Sequence, residues 1–236
     1  KDPDERPKLS EVLEILDKGM FADDASDLPS RLILTVSSRQ GVLRILDPQG
    51  SLHSSIGNIG VGEGSFAAAP LSVSVDSAGN FLAAIFEYRV GQDSHRMIHK
   101  LDANGKMIMS FGPYGMKPGE FLYPVSLSVA PDDRVYVLDS ETHLVQCFDT
   151  HGNYLFNFGG RGEGRGMFND PRIIGVGFDG LVYVLDYGNR QIQRFDANGR
   201  YQTRWAFKMG ADQDGMRIID GFTLDNQGNI YVSDAT

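Results

Sequence analysis

Three short motifs recur along this chain with one shared spacing, and this repetition limits the possible folds more than any other feature. An Asp-x-x-Gly motif recurs at steps of 55, 47 and 47 residues, at Asp47, Asp102, Asp149 and Asp196. A phenylalanine that closes a glycine-rich run recurs at steps of 55 and 47, at Phe66, Phe121 and Phe168. A Tyr-Val-x-Asp motif ends at Asp139, Asp186 and Asp234. One structural unit of about 47 residues is therefore used repeatedly.

The unit spanning residues 122–168 has the pattern of four short β-strands. Residues 125–129 alternate apolar and polar side chains, as a half-buried strand does. Residues 134–138, 143–148 and 154–158 are rich in the β-branched and aromatic residues that favour strands. The Asp-x-x-Gly motif supplies a hairpin turn between the last two. Four antiparallel strands with a period in the forties are typical of a β-propeller blade.

The unit resembles the NHL repeat, whose pattern includes a glycine-rich loop ending in Phe, an Asp-x-x-Gly-x-Ile-Tyr-Val-x-Asp segment and an Asn-x-Arg-Ile-Gln-x-Phe-Asp segment. The matching residues of the fourth unit are Phe168, Pro171, Asp179, Gly180, Tyr183, Asp186, Asn189, Ile192, Gln193, Phe195, Asp196 and Gly199. The first two units are degenerate, with Ser37 and Ile85 where later units carry the rim Asp. The resemblance covers roughly residues 31–236 and implies an all-β, NHL-type β-propeller with six blades.

The repeat count predicts that this sequence contains four to five of the six blades. The first unit begins at a second strand, residues 31–36, and the fifth ends after its second strand at Asp234. Six blades of about 47 residues need roughly 280 residues. We therefore expect a C-terminally truncated chain, in which a C-terminal strand outside this sequence completes the first blade. We divide the chain into residues 1–30 and the propeller blades of residues 31–236.

Residues 1–30 predict an acidic linker followed by a short amphipathic helix. Val12, Leu13 and Leu16 have helical spacing after Ser10. The segment holds nine acidic and four basic residues, which contributes −5 of the net charge of −9. Such a helix is either a strap packed on the propeller or a docking element for a partner.

Charge and composition narrow the functional classes. A net charge of −9 argues against nucleic-acid binding, which requires a basic face. A local basic patch stays open as an alternative, formed by Arg161, Arg165, Arg172, Arg190 and Arg194. No run of eighteen apolar residues exists, so we predict no transmembrane segment. Cys147 is the only cysteine of the chain, and we expect it at an outward-facing strand position. A lone cysteine is compatible with either the cytosol or the periplasm. The absence of an initiator Met slightly favours an extracytoplasmic (periplasmic or secreted) location over the cytoplasm.

Two constellations resemble chemical sites, but we predict structural roles for both. His95 and His99 have the i, i+4 spacing of a metal pair on a helix, yet the repeat register places them on a third strand. The recurring Asp139, Asp186 and Asp234 point to one rim, where such an Asp caps a turn by accepting backbone N–H bonds. We therefore predict no catalytic residue, no metal site and no cofactor.

The candidate partner-binding residues lie in an insertion. The second unit is eight residues longer than the others (55 minus 47), around residues 87–94. Repeat proteins place specificity in such insertions, and this one carries Phe86, Tyr88 and Arg89, side chains that anchor interfaces. An unpartnered, elongated hairpin is the alternative.

The predicted function is a non-catalytic β-propeller scaffold that mediates protein–protein interaction within a larger assembly. The alternative comes from the resemblance, because six-bladed relatives include streptogramin lyase, the peptide-amidating lyase and gluconolactonase-type hydrolases. It is a metal-dependent lyase or hydrolase acting on a small molecule or peptide at the central channel.

The repeat register also predicts core positions. Tyr136, Tyr183 and Tyr231 should be buried between blades, with Leu34 and Leu82 as their counterparts. Phe66, Phe121 and Phe168 should fill equivalent pockets between blades.

Overall fold

The chain forms a series of β-sheet blades. The computed structural model describes residues 13–17, 31–37, 42–46, 51–56, 70–87, 95–207, 218–225 and 227–235. These ranges contain eighteen strands and no helix, arranged as four four-stranded antiparallel sheets and one two-stranded sheet. The all-β blade architecture predicted from the repeats is confirmed.

Strands are numbered in chain order and grouped into five blades, in which consecutive strands are neighbours. Blade 1 comprises β1 (Leu13–Asp17), β2 (Arg31–Ser37), β3 (Val42–Leu46) and β4 (Leu52–Ile56). Blade 2 comprises β5 (Pro70–Val75), β6 (Phe81–Glu87), β7 (His95–Leu101) and β8 (Met107–Phe111). Blade 3 comprises β9 (Pro124–Val129), β10 (Val135–Asp139), β11 (Leu144–Phe148) and β12 (Tyr154–Gly159). Blade 4 comprises β13 (Pro171–Val176), β14 (Val182–Asp186), β15 (Gln191–Phe195) and β16 (Tyr201–Ala206). Blade 5 comprises β17 (Ile218–Leu224) and β18 (Ile230–Ala235).

Residues 13–17 form strand β1, so the prediction of a helix is wrong for this segment. β1 pairs antiparallel with β2, from Leu13 opposite Thr35 to Asp17 opposite Arg31. It is thereby the first strand of blade 1, a position for which we expected a strand from outside this sequence. A run this short cannot be assigned by periodicity alone, and the edge of β2 offers backbone partners that favour a strand. The rest of residues 1–30 lies outside the described residues.

The first strands of the blades lie side by side around the shared axis. β5 contacts β9, β9 contacts β13, and β13 contacts β17. On its axis side a first strand has no neighbour within its own sheet, so its amides there need other partners. Serine hydroxyls of the preceding blade accept hydrogen bonds from these amides. The bonds run from Leu127 N to Ser72 at 3.1 Å, Val129 N to Ser74 at 3.1 Å, Ile174 N to Ser126 at 3.2 Å and Val176 N to Ser128 at 3.1 Å.

The tyrosines of the second strands are buried where a following blade covers them. Tyr136 is fully buried and donates its hydroxyl to the Ala197 carbonyl at 2.7 Å, and Tyr183 and the counterpart Leu82 are also buried. Tyr231 differs, because 56% of it is exposed. Its predicted burial is wrong, since no blade follows blade 5 within the described residues. The side chain of Leu34 is not among those described.

The predicted phenylalanine plugs are confirmed for the two that are described. Phe121 and Phe168 are fully buried, whereas Phe66 lies outside the described residues. The backbone lies close to each of these two phenylalanine rings. Gly159 has a φ of 102°, and a Cβ there would lie 2.5 Å from Phe168 Cε2. Only glycine meets both conditions.

Cys147 lies in the core, which corrects the expected outward-facing position. It packs in the cluster between blades 3 and 4 that contains Tyr136 and Phe168. Burial raises the pKa of the Cys147 thiol to about 11, so the group is a protonated thiol at neutral pH. Blade 3 differs here from blade 4, which carries Arg194 at the same repeat position.

We expect Tyr136→Ala to destabilise the fold far more than Tyr231→Ala. Both residues occupy one repeat position, but only Tyr136 is buried and hydrogen-bonded to the next blade. Truncating such an aromatic costs about 3–5 kcal/mol, whereas the exposed tyrosine should cost about 1 kcal/mol or less. Urea denaturation of both variants measures the difference, and equal losses would contradict the different burial of the two side chains.

Candidate functional site

One end of the blades gathers the connections that carry the candidate residues. The loops of residues 112–121 and 159–168 each lead from the last strand of one blade to the first strand of the next. The turns of residues 140–143 and 187–190 join second to third strands at the same end, because alternate strands of an antiparallel sheet end together. We call this end the loop face.

The rim carboxylates on the loop face anchor its loops. Asp139 is fully buried, and its Oδ2 accepts the backbone N–H groups of Leu122 at 2.6 Å and Tyr123 at 3.1 Å. Its Oδ1 accepts the N–H groups of Glu141 at 3.0 Å and Thr142 at 3.1 Å. One carboxylate thus joins the end of the interblade loop to the turn beside it. The predicted capping role is confirmed for this residue.

Asp186 performs the same task with a different set of donors. It is fully buried, and its Oδ1 accepts the N–H of Asn169 at 2.7 Å. Its Oδ2 accepts three side-chain amides, from Asn189 at 2.8 Å, Gln191 at 2.6 Å and Gln193 at 2.9 Å. Both oxygens are therefore occupied by donors of the protein itself. The side chain of Asp234, the third member of the series, is not among those described.

A glutamine on the third strand of blades 3 and 4 holds the middle of the loop, a role that was not predicted from the sequence. Gln146 donates to the Glu120 carbonyl at 2.6 Å and accepts from Gly119 N at 2.8 Å. Gln193 repeats this with the Met167 carbonyl at 2.6 Å and Gly166 N at 2.9 Å. The recurrence of Gln at one repeat position was the available signal.

The two loops share a rigid backbone but present different side chains. Phe121 N donates to the Pro113 carbonyl at 2.9 Å, and the equivalent bond joins Phe168 N to the Gly160 carbonyl at 2.8 Å. The first loop exposes Tyr114 (53%) and Met116 (78%). The second carries Arg161 and Glu163 at those positions, both exposed. Tyr114 and Met116 were not among the residues predicted from the sequence to bind a partner.

The insertion in blade 2 lengthens a hairpin on the loop face. In blade 3 the second and third strands end their pairing at Asp139 opposite Leu144. In blade 2 the pairing continues past the equivalent pair by two more, Phe86 opposite Arg96 and Glu87 opposite His95. At about 3.4 Å per residue this extends the sheet by about 7 Å. Phe86 is therefore on the extension, while Tyr88 and Arg89 lie outside the described residues.

The arginines of the possible basic patch do not share one environment. Arg172 pairs with Asp170 at 2.8 Å and lies 3.3 Å from the Tyr187 ring centroid. Arg194 lies over the Trp205 ring at 5.6 Å, on the outer strands of blade 4. Arg161, Arg165 and Arg190 are exposed on the loop face.

The two histidines considered as a metal pair lie on one strand, and the side chain of His95 is not among those described. His95 and His99 both lie on β7, the third strand of blade 2. Within the residues that the structure describes, no group of three His, Cys, Asp or Glu side chains is placed to hold a metal ion. The same residues contain no helix long and apolar enough to cross a bilayer.

Comparison with known proteins supports the repeat and the fold. The sequence profile of the NHL repeat matches residues 121–148. No curated protein matches the sequence. Among solved structures, a streptogramin B lyase aligns with a TM-score of 0.58 at 12% identity, over 97% of this chain and 63% of its own. A gluconolactonase from Xanthomonas campestris aligns with a TM-score of 0.58 at 14% identity, over 86% of this chain and 65% of its own.

A WD40 β-propeller domain aligns with a TM-score of 0.56 at 17% identity, over 86% of this chain and 57% of its own. The chain thus spans between 57% and 65% of the length of these three structures. At such identities the likeness shows a shared propeller fold and nothing finer.

We expect Asp186→Ala to lower the free energy of unfolding by about 3–5 kcal/mol, because four donors lose their acceptor in a buried site. Asp196→Ala is the matched control. Its Oδ1 accepts Asn198 N at 2.9 Å and Arg200 N at 2.9 Å in an exposed hairpin turn, so its loss should be about 1 kcal/mol. Urea denaturation measures both, and a similar loss in the two variants would contradict the anchoring role.

Proposed function

We propose that this chain, which contains an NHL repeat and folds as a β-propeller, is a non-catalytic scaffold whose loop face binds a partner protein. The observation that carries the proposal is the lengthened hairpin of blade 2. It extends two residue pairs beyond the equivalent hairpin of blade 3 and bears Phe86 on that extension. Tyr88 and Arg89 follow directly in the sequence.

A second apolar element supports the same surface. β6 and β8 run in the same direction with β7 between them, so the hairpin and the loop of residues 112–121 leave blade 2 at one end. That loop exposes Tyr114 and Met116 on a backbone held by Gln146 and Asp139. A rigid loop loses little conformational entropy on binding, which favours its use as an interface.

The state of the rim carboxylates also supports a scaffold over an enzyme. Every oxygen of Asp139 and Asp186 accepts a hydrogen bond from the protein. A metal ligand or a general base needs an oxygen that can face a metal or a substrate. The two carboxylates that most resemble a repeated site therefore serve the loops.

A second candidate function is that of a metal-dependent lyase or hydrolase, because a streptogramin B lyase and a gluconolactonase have a similar fold. Calcium or zinc titration followed by thermal melting separates the two. For a scaffold we expect the melting temperature to stay constant across the titration, because an ion without a site cannot stabilise the folded state. A saturable rise of several degrees would instead support the enzyme.

The scaffold itself is tested by replacing Tyr88 and Arg89 together with Ala and repeating affinity capture from the native source. An interface anchor contributes about 2 kcal/mol or more, so a specific partner should bind at least about 30-fold more weakly. Leu155→Ala is the matched control, because Leu155 is 46% exposed on the outer strand β12.

Met116→Ser, on the neighbouring loop, is a third variant. The scaffold is supported if one protein is captured by the unmodified chain and by the Leu155→Ala control, but not by the double variant or by Met116→Ser. All variants must have an unchanged melting temperature. Capture of the same proteins by all variants would overturn the assignment of this surface.

A further inference from the structure

Blade 4 differs from blade 3 in the charge of its loop face. The compared segments are residues 159–172, 187–190 and 201–206 of blade 4 and, 47 positions earlier, residues 112–125, 140–143 and 154–159 of blade 3. The blade 4 segments contain five arginines and two acidic residues, a net charge of +3. The blade 3 segments contain one lysine and two glutamates, a net charge of −1. The positive charge of blade 4 contrasts with the net charge of −9 for the whole chain.

We call the five arginines of these blade 4 segments the cationic sector. They are Arg161, Arg165, Arg172, Arg190 and Arg204. The equivalent residues of blade 3 are Tyr114, Pro118, Val125, His143 and Asn157. Because the two blades share one strand arrangement and one loop backbone, the scaffold does not require arginine at these positions.

Arg161 and Arg190 lie on two segments that adjoin each other. Asn189 Nδ2 donates to the Gly162 carbonyl at 2.9 Å. This bond ties the turn that ends at Arg190 to the loop that contains Arg161. Both arginines are exposed, and neither forms an ion pair with the residues that the structure describes. Their guanidinium groups are therefore available to a partner.

Arg165 and Arg204 adjoin one glutamine of blade 4. Gln193 accepts the N–H of Gly166 at 2.9 Å, which places the preceding residue, Arg165, beside β15. Arg204 is the cross-strand partner of Gln193 on β16. Its Nη1 donates to Gln191 Oε1 at 3.2 Å. Both arginines are exposed, so the cationic sector continues from the loop to the outer strand.

Arg172 is held in one orientation at the inner end of the sector, on the first strand β13. Its guanidinium carbon lies 3.3 Å from the centroid of the Tyr187 ring. Its Nε and Nη2 donate to Asp170 Oδ2 at 3.2 and 2.8 Å. Nη1 donates no hydrogen bond to the described residues, and 41% of the side chain is exposed. A guanidinium fixed in this way loses little entropy on binding, and its remaining edge suits a carboxylate.

A protein segment rich in Asp and Glu matches the cationic sector better than a nucleic acid does. Surfaces that bind single-stranded nucleic acids combine a strong positive field with aromatic rings on which bases stack. Here the net charge is only +3, and one face of the Tyr187 ring is taken by Arg172. Trp205 follows Arg204 on the strand, so it lies on the other face of the sheet, where it stacks on Tyr183. A short run of carboxylates needs only a few cations.

We propose that the cationic sector binds an acidic segment of the partner protein. The inference rests on the proposed function, because it names the chemistry of the partner that binds the loop face. Carboxylates of the segment pair with the exposed arginines, and one of them takes the remaining edge of Arg172. The neighbouring loop exposes Tyr114 and Met116, which contact apolar residues beside the acidic run.

A glutamate peptide tests this charge complementarity. Fluorescein-labelled octaglutamate is added to the full chain, and its fluorescence anisotropy is measured. We expect a saturable rise at about 0.05 M salt and its loss at about 0.5 M salt, because salt screens exposed charges. Labelled octaglutamine, which has the same length and no side-chain charge, should not bind.

Two double variants locate the site. Arg161→Gln with Arg165→Gln should weaken octaglutamate binding about fivefold or more, since two exposed charge pairs are lost. Lys106→Gln with Arg200→Gln is the matched control. It removes the same charge from exposed hairpin turns at the opposite end of the blades, so it should bind octaglutamate as the unmodified chain does.

Arg172→Lys distinguishes a built site from a general attraction. Lysine keeps the charge but lacks the planar fork and the stacking on Tyr187, so the affinity for octaglutamate should fall about threefold or more. Circular dichroism confirms that each variant is folded.

Four results would overturn the proposal. The first is the absence of saturable octaglutamate binding, and the second is equal affinity of the two double variants. The third is an unchanged affinity of Arg172→Lys. The fourth is tighter binding of labelled octauridylate RNA that the Arg161 and Arg165 variant loses, because the sector would then be a nucleic-acid site. Failure of the peptide alone contradicts the acidic partner and not the binding surface, because capture through Tyr88 and Arg89 is measured independently.

Discussion

A buried carboxylate at the end of the second strand is the interaction on which the loops of blades 3 and 4 depend. Asp139 and Asp186 each join the incoming interblade loop to the adjacent turn, and every oxygen accepts at least one bond. Because buried charges are costly unless fully satisfied, these loops are held to one geometry. That geometry places Phe121 and Phe168 in their pockets and sets where each following blade begins.

The contacts between blades repeat in position but change in chemistry. Serine pairs of β5 and β9 accept the axis-side amides of the next first strand. In β13 the same two positions hold Ile173 and Gly175, and a Cβ at Gly175 would lie 3.0 Å from Phe222. The interface between blades 4 and 5 is therefore apolar near the axis. Further out on blade 4, Arg194 lies over the Trp205 ring.

Residues that recur between units and residues that vary have different roles, and this difference bears on function. Residues that recur in blades 3 and 4, the rim Asp, the third-strand Gln and the loop Phe, bond to the chain's own backbone or fill its core. Residues that differ between units, such as Tyr114 against Arg161, are exposed on a backbone that stays constant. Such an arrangement suits recognition, since side chains can vary without disturbing the scaffold.

The sequence by itself determined the unit, its register and its architecture, because a 47-residue period of alternating strands, Asp-x-x-Gly turns and plugging Phe rings reports local backbone geometry that each unit repeats. The capping role of the rim Asp followed from the same local chemistry. Other features depended on which blade lies beside a residue. Residues 13–17 form a strand because the edge of β2 is available, Tyr231 is exposed because no described blade covers it, and Cys147 is buried against blade 4. Periodicity within one unit cannot reveal a neighbour in another, so only the tertiary structure decided these.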